Sequence, residues 1–145
     1  MHIIQSHLHG RPSAQENLIS LTVDRGTLAK RRWRGVAGDG MEFGFDLDHA
    51  LDHGDVIFRD DCACYAVFQS PEPILEITLP PVPGEAALIA WQVGNLHFPV
   101  EIHGDALRTV DDIAVRQMLD RESIAYLATD AVFRPAPVST HAHHH

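Results

Sequence analysis

Histidine is the residue type that offers most chemistry in this sequence. The chain of 145 residues holds 11 histidines, and four of them lie among its last five positions, at His141, His143, His144 and His145. Neutral imidazole is a ligand for divalent transition metals and takes up a proton close to physiological pH. The group is shorter than a purification tag and is interrupted by Ala142. We therefore treat these four histidines as candidate metal ligands.

Two internal histidines, His97 and His103, bracket a segment that has the pattern of a strand. The stretch Trp91–Ile102 reads WQVGNLHFPVEI. A helix that ends near Gly94 would place His97 in the short connection to the next strand, where an imidazole stays accessible to a ligand. His103 would then lie at the far end of that strand. The alternative for either residue is an ordinary hydrogen-bonded surface histidine.

Other histidines have weaker claims to a function. His7 and His9 are spaced like a chelating pair, but a solvated N-terminal segment is the simpler interpretation. His49 and His53 are four residues apart, which on a helix would make a metal clamp. The neighbouring strand patterns and the turn at HGD favour a loop instead, so we do not expect that clamp.

The two cysteines, Cys62 and Cys64, are separated by one residue. Two cysteines this close in an extended chain cannot easily bridge, so no disulfide bond is expected between them. A thiolate could bind Zn²⁺ or Cu(I), but ordinary strand packing is the simpler interpretation.

Composition restricts the partners and the compartment. With 11 Lys and Arg against 20 Asp and Glu, the formal net charge is -9, so nucleic acid is not an expected partner. The N-terminus lacks the basic and long apolar regions of a signal peptide. No stretch approaches the roughly 20 apolar residues that span a bilayer. We therefore expect a cytoplasmic protein with no membrane contact.

A basic segment stands out against this acidic background. The sequence KRRWRG contains Lys30, Arg31, Arg32, Trp33 and Arg34. Arginine and tryptophan are enriched at the energetically important positions of protein interfaces. Charge is also a common protection for an exposed edge strand, which is the alternative. The segment is our candidate for a partner-binding surface.

The first half of the chain is predicted to be a small all-β domain, residues 1–71. Segments with a period of two or a short apolar run predict its strands: Ile19–Asp24, Leu28–Ala37, Met41–Asp48, Val56–Phe58 and Cys64–Gln69. The glycine-containing turn Gly38–Gly40 predicts a hairpin, because glycine reaches the positive φ of tight turns.

The prolines in Ser70–Pro73 favour an extended linker and argue against a helix or a central strand there. Beyond this boundary the patterns predict a strand, a helix, a hairpin, a second helix and a final strand, over Ile74–Pro80, Pro83–Asn95, Phe98–Asp111, Asp111–Arg121 and either Ser123–Thr129 or Asp130–Pro135. This order is that of a ferredoxin-like βαββαβ domain, residues 72–134. Residues 135–145 are expected to form a flexible tail, and the fold class is α+β.

The sequence resembles the urease accessory protein E family of nickel metallochaperones. The resemblance rests on KRRWRGVAGDGMEFGFDLDH with the following GDV, on PEPILEI, on GNLHFPVEIHGD and on the histidine-bearing C-terminus. It covers most of the chain, roughly from Ile19 onward. It implies an N-terminal β domain followed by a ferredoxin-like metal-binding domain. His97 matches the metal ligand that closes the family's Gly-Asn-x-His motif.

The resemblance also implies a mechanism without catalysis. In a homodimer, two copies of His97 would face one Ni²⁺ ion, and the C-terminal histidines would complete the shell, with His103 as a secondary ligand. Association of two such dimers into a tetramer is a further alternative. The affinity order lets Zn²⁺ or Cu²⁺ compete for such a site. The expected partners are apo-urease, which receives the nickel, and the accessory GTPase through which it passes. The N-terminal domain, with the arginines of KRRWRG, would make the partner contact.

The sequence departs from the family pattern at several positions. Gln92 stands where many members have histidine, Leu96 where many have arginine, and Thr109–Ile113 lacks the extra histidines of some members. These departures predict a low metal capacity, which favours delivery over storage. General buffering of nickel, zinc or copper is the alternative function. A zinc-dependent hydrolase is disfavoured because the sequence has no HExxH motif and no nucleophile in a recognisable context.

Overall fold

The computed structural model describes residues 1–137 of the chain. The chain divides into two compact units, Met1–Ser70 and a second that begins at Pro71. The first unit is mainly β-sheet, and the second combines a sheet with two longer helices, so the predicted α+β class is confirmed. Within residues 1–137, no helix is long and apolar enough to cross a membrane.

The first unit contains two three-stranded sheets. Its elements are β1 (His2–Ile4), β2 (Leu18–Val23), the single-turn helix α1 (Arg25–Leu28), β3 (Arg32–Val36), β4 (Glu42–Asp46), β5 (Val56–Arg59) and β6 (Cys64–Gln69). The strand orders are β1-β4-β3 and β2-β6-β5. The predicted hairpin joins β3 to β4, which pair in antiparallel fashion. Its turn includes Gly40 at a φ of 90°, a conformation that glycine adopts without strain.

Alternation along β3 and β4 brings aromatic rings into the core of this unit. Trp33, Phe43 and Phe45 are buried, and the rings of Trp33 and Phe45 stack with their centroids 3.9 Å apart. Arg32 and Arg34 flank Trp33 in sequence and are exposed, as the period of two in a strand requires. The same alternation therefore fixes both the core and the basic outer face of β3.

The second unit has the predicted order of elements: β7 (Glu72–Thr78), α2 (Pro83–Gly94), β8 (Val100–His103), β9 (Ala106–Val110), α3 (Ile113–Arg121) and β10 (Leu127–Ala131). The strands form one antiparallel sheet in the order β10-β7-β9-β8, which is the ferredoxin-like arrangement. Leu75, Ile77 and Leu107 from the sheet share a fully buried cluster with Val93 of α2 and Leu119 of α3. This cluster holds the two helices on the sheet.

The expectation that the prolines exclude a central strand around Ser70–Pro73 is wrong, because β7 begins at Glu72 and lies between β10 and β9. Pro73 is opposite Asp130 of β10, whereas pairing with β9 starts only at Ile74. The proline thus occupies the end of the strand, where its missing N–H interrupts no ladder with β9.

Candidate metal site

His97 lies in the tight turn that ends helix α2. The N–H of Asn95 donates to the Trp91 carbonyl at 2.9 Å, and the N–H of His97 donates to the Gly94 carbonyl at 3.0 Å. The histidine has a φ of 65°, and its residue is exposed. His97 was predicted to be accessible in the connection between a helix and a strand, and it is exposed between α2 and β8.

The backbone conformation of His97 is unusual for its residue type. A positive φ of this size belongs to the left-handed region, which costs a non-glycine residue roughly 1–2 kcal/mol. Glycine or asparagine normally occupies such a position after a helix. Strained residues of this kind cluster at functional sites. The conformation makes His97 a candidate for a functional position.

His103 lies at the opposite end of β8 and is exposed next to the hairpin turn at Gly104. The strand between Val100 and His103 alone spans roughly 10 Å. His97 and His103 of one chain therefore lie near opposite ends of β8.

The last described residues are attached to β8. Phe133 is fully buried, the Arg134 N–H donates to Glu101 Oε1 at 3.2 Å, and the Ala136 N–H donates to the Val100 carbonyl at 2.9 Å. Arg134 contacts Glu101, and Ala136, two residues later, contacts the preceding residue Val100. The C-terminal segment therefore runs antiparallel to β8, toward the end of β8 that follows His97. The candidate ligands His141, His143, His144 and His145 lie outside the described residues.

Helix α2 presents large apolar side chains to solvent, which the sequence reading missed. Leu88 is 56% exposed and Trp91 is 65% exposed, one turn apart on the helix that leads to His97. Val82 before the helix and Ile102 on β8 are also exposed. The run AALIAW is apolar on all sides of a helix. This pattern could have indicated that α2 carries apolar side chains beyond the face that packs on the sheet.

The basic segment of β3 divides between two faces. Arg31, Arg32 and Arg34 are exposed, and Arg32 Nε pairs with Asp46 Oδ1 at 3.0 Å. Trp33 is only 9% exposed and stacks in the core. The predicted grouping of Trp33 with the arginines at a partner surface needs correction, because a strand residue points away from both of its neighbours. Only the arginines are available for contact.

The histidines at 49 and 53 form no clamp. No helix covers this segment, as expected, and Nδ1 of His53 accepts a hydrogen bond from the Gln69 N–H at 2.9 Å. His53 therefore has a structural role at the end of β6.

Both cysteines are free thiols, as predicted. Cys62 precedes β6 and is exposed, whereas Cys64 is the first residue of β6 and is buried. Burial raises the pKa of the Cys64 thiol, so this sulfur is largely protonated at neutral pH. A protonated thiol is a poor metal ligand.

Within residues 1–137, no group of three or more His, Cys, Asp and Glu side chains is arranged to hold a metal ion. His97 therefore belongs to no group of three such ligands in this part of the chain, and an ion bound there would need further donors.

Known proteins with similar sequences identify the family of this chain. The profile of the UreE urease accessory protein C-terminal domain matches residues 72–145. A urease accessory protein UreE of Beijerinckia indica is 36% identical over 121 residues, which cover 82% of this chain and 68% of that protein. The chain belongs to the UreE family. Proteins of the same name from Chelativorans sp. and Azorhizobium caulinodans are each 35% identical, over 87% and 91% of this chain and 80% and 63% of their own lengths.

Three positions at which this UreE-family chain was predicted to depart from the family pattern are buried or half-buried in the second unit. Leu96 is half-buried against the core of the second unit. Thr109 is fully buried, and its Oγ1 donates to the Pro99 carbonyl at 2.9 Å. Gln92 is half-buried on α2. None of the three offers an imidazole close to His97.

Proposed function

We propose that this chain is a nickel carrier for urease maturation, a binding protein that performs no reaction itself. It would bind Ni²⁺ at a homodimer interface and pass the ion to apo-urease through the accessory GTPase. The observation that carries the proposal is the exposed imidazole of His97, held at a strained backbone position in a UreE-family domain. Membership of the family supports an accessory role in urease maturation.

A homodimer would supply the second ligand. One imidazole holds Ni²⁺ weakly, but a two-fold axis brings the same residue of both chains to one point. The exposed Leu88 and Trp91 support this arrangement, because a second copy that packed on helix α2 would cover them and approach His97 at the end of the same helix.

The C-terminal histidines would complete the shell. Ala136 is held on Val100, three residues after His97. His141 follows five residues later, a span of at most about 17 Å in an extended chain. His141, His143, His144 and His145 are therefore within reach of an ion at His97 on grounds of chain length. His103 remains a secondary ligand that would serve a separate or more weakly bound ion.

An all-imidazole site of this kind would not discriminate strongly between metals. Zn²⁺ competes with Ni²⁺ for nitrogen ligands, and Cu²⁺ binds them more tightly. Selection of nickel would therefore depend on the partners and on metal supply. We assign the exposed Arg32 and Arg34 on β3, with Arg31 just before it, to a partner, apo-urease or another accessory protein, whose contact face would be acidic.

Nickel titration by calorimetry, with light scattering to follow assembly, tests the carrier proposal. We expect one tight ion per dimer in the full chain. His97→Ala should weaken that ion at least tenfold, which corresponds to about 1.4 kcal/mol of binding free energy. A chain that ends at Pro137 should bind more weakly while it still forms dimers.

His103→Ala is the matched control, because it removes an exposed imidazole from the other end of β8. It should leave the tight ion unchanged. Equal nickel affinity in the His97 variant and the parent chain would show that His97 is not the anchor. Transfer to purified apo-urease, measured as urease activity with the GTPase present, separates a carrier from a metal buffer.

A further inference from the structure

His7 and His9 lie on a fixed segment of the first unit. Between them, the Leu8 N–H donates to the Val56 carbonyl at 2.7 Å in an isolated antiparallel bridge. Val56 is fully buried in β5, so the bridge ties the segment to the core of the unit. The two histidines are exposed, which agrees with the predicted solvated alternative, but the backbone between them is attached to β5.

The bridge places both imidazoles together. Residues on either side of an extended residue point in the same direction, so the two histidine side chains leave one side of the segment. Their ring centroids are 6.0 Å apart, with an angle of 74° between the ring planes. Both residues are exposed.

This separation suits a shared cation. Two imidazoles that bind one ion hold their nitrogens about 2 Å from it, which places the ring centroids roughly 4.5–6.5 Å apart. The pair therefore needs only side-chain rotation to chelate, because the backbone that carries it is already fixed. Preorganisation of this kind reduces the entropic cost of binding.

We propose that His7 and His9 form a second, weak site for a divalent transition metal, Ni²⁺, Cu²⁺ or Zn²⁺, in the first unit. The two imidazoles supply two ligands, and water fills the remaining positions. The acidic net charge of the chain favours the approach of a cation. With only two protein donors, the ion exchanges readily, so the site is suited to capture and release rather than to storage.

The test is nickel titration of the full-length chain, read both by calorimetry and by NMR of the histidine ring signals. We expect a weak class of one ion per chain, and paramagnetic broadening of the His7 and His9 signals together. His7→Ala and His9→Ala should each weaken that class at least tenfold, because each removes the chelate. His49→Ala, which removes an exposed histidine from a loop of the same unit, should leave it unchanged.

The two sites are separable by experiment. In His97→Ala the tight ion should be weakened while the weak class persists, and in the double variant His7→Ala, His9→Ala the reverse should hold. Loss of the His7 ring without effect on the affinity measured at His9 would show two independent histidines and overturn the chelate. Survival of the weak class in the double variant would also overturn it. Because both side chains are exposed, circular dichroism should show unchanged folding in every variant.

Discussion

The backbone conformation at residue 97 favours glycine, whereas the residue present is histidine. The turn after α2 holds this position at a φ of 65°, which favours glycine, yet an imidazole is present. In the absence of metal the histidine therefore lowers stability, and the binding of an ion would be the compensation. A conflict of this kind can be measured by substitution at the position.

His97→Gly should raise the free energy of unfolding of the metal-free chain by up to about 1 kcal/mol, because the left-handed conformation costs glycine nothing. The same change should abolish the tight nickel ion. Urea denaturation and calorimetry measure the two effects.

Ser123→Gly is the matched control, since Ser123 has a φ of 56° in the turn after α3. It should stabilise the chain by a similar amount and leave nickel binding unchanged. If Ser123→Gly stabilised the chain and His97→Gly did not, the imidazole would have stabilising contacts in the metal-free protein, contrary to the conflict inferred here.

A second residue-scale effect concerns Tyr65, whose hydroxyl donates to Asp39 Oδ2 at 2.5 Å. This hydrogen bond to a carboxylate raises the pKa of Tyr65 to about 12 and lowers the pKa of Asp39. Since the folded pKa of the tyrosine exceeds its usual value of about 10, the bond contributes fully below pH 10. Its contribution is lost as the pH rises from about 10 to 12.

Asp39→Asn should therefore move the tyrosinate absorbance midpoint of Tyr65 down toward 10, and should flatten the decline of unfolding free energy above pH 10. A Tyr126→Phe background isolates the signal, because the chain has two tyrosines. An unchanged midpoint would mean that burial of the ring, rather than Asp39, sets the pKa.

At the scale of elements, helix α2 carries the apolar face that we assign to a second copy. Leu88→Gln with Trp91→Gln should convert the dimer to a monomer at micromolar concentration and weaken nickel binding, while the stability of the monomer is nearly unchanged because both side chains are exposed. Analytical ultracentrifugation measures the assembly. Val36→Gln, at another exposed apolar residue, should leave the dimer intact; a dimer that persisted in the α2 variant would place the interface elsewhere.

The elements differ in how well their sequences predicted them. The period of two in β4 and the apolar stripe of α3 were sufficient, because each element buries one side. The strand predicted over Leu28–Ala37 was too long, since β3 begins only at Arg32. Helix α1 was missed, since its four residues depend on one cap, the Asp24 side chain that accepts from the Thr27 N–H at 2.7 Å. The strand at Pro73 was missed because tolerance of proline depends on which neighbouring strand needs the N–H, a tertiary property.

The candidate site was predictable in part for similar reasons. The accessibility of His97 followed from its place after a helix, but the positive φ did not follow from residue type. The burial of Trp33 could have been read from alternation, since its arginine neighbours on β3 must face the other way. The attachment of Ala136 to Val100 joins distant parts of the chain, and no local pattern indicated it.

For the molecule as a whole, charge and burial are distributed unevenly. The chain carries a net charge of -9, yet Arg32 and Arg34 lie exposed on β3 and Arg31 is exposed just before it. Each unit also has its own cluster of buried apolar side chains, one around Phe43 and Phe45 and one around Leu75 and Leu107. Substitutions of the arginines on β3 should therefore leave the core of the second unit intact.

The hydrogen bond from Ala136 to Val100 sets the length of a tether. Because Ala136 is held there, only five residues of sequence separate it from His141, the first of the terminal imidazoles that we propose as ligands. A connection that short corresponds to an effective concentration in the millimolar range, which a small chelator would have to match in order to displace those imidazoles. We would expect a protein acceptor that displaced Ala136 from β8 to dilute all the proposed terminal ligands at once, so that release of the proposed ion would need no stronger ligand.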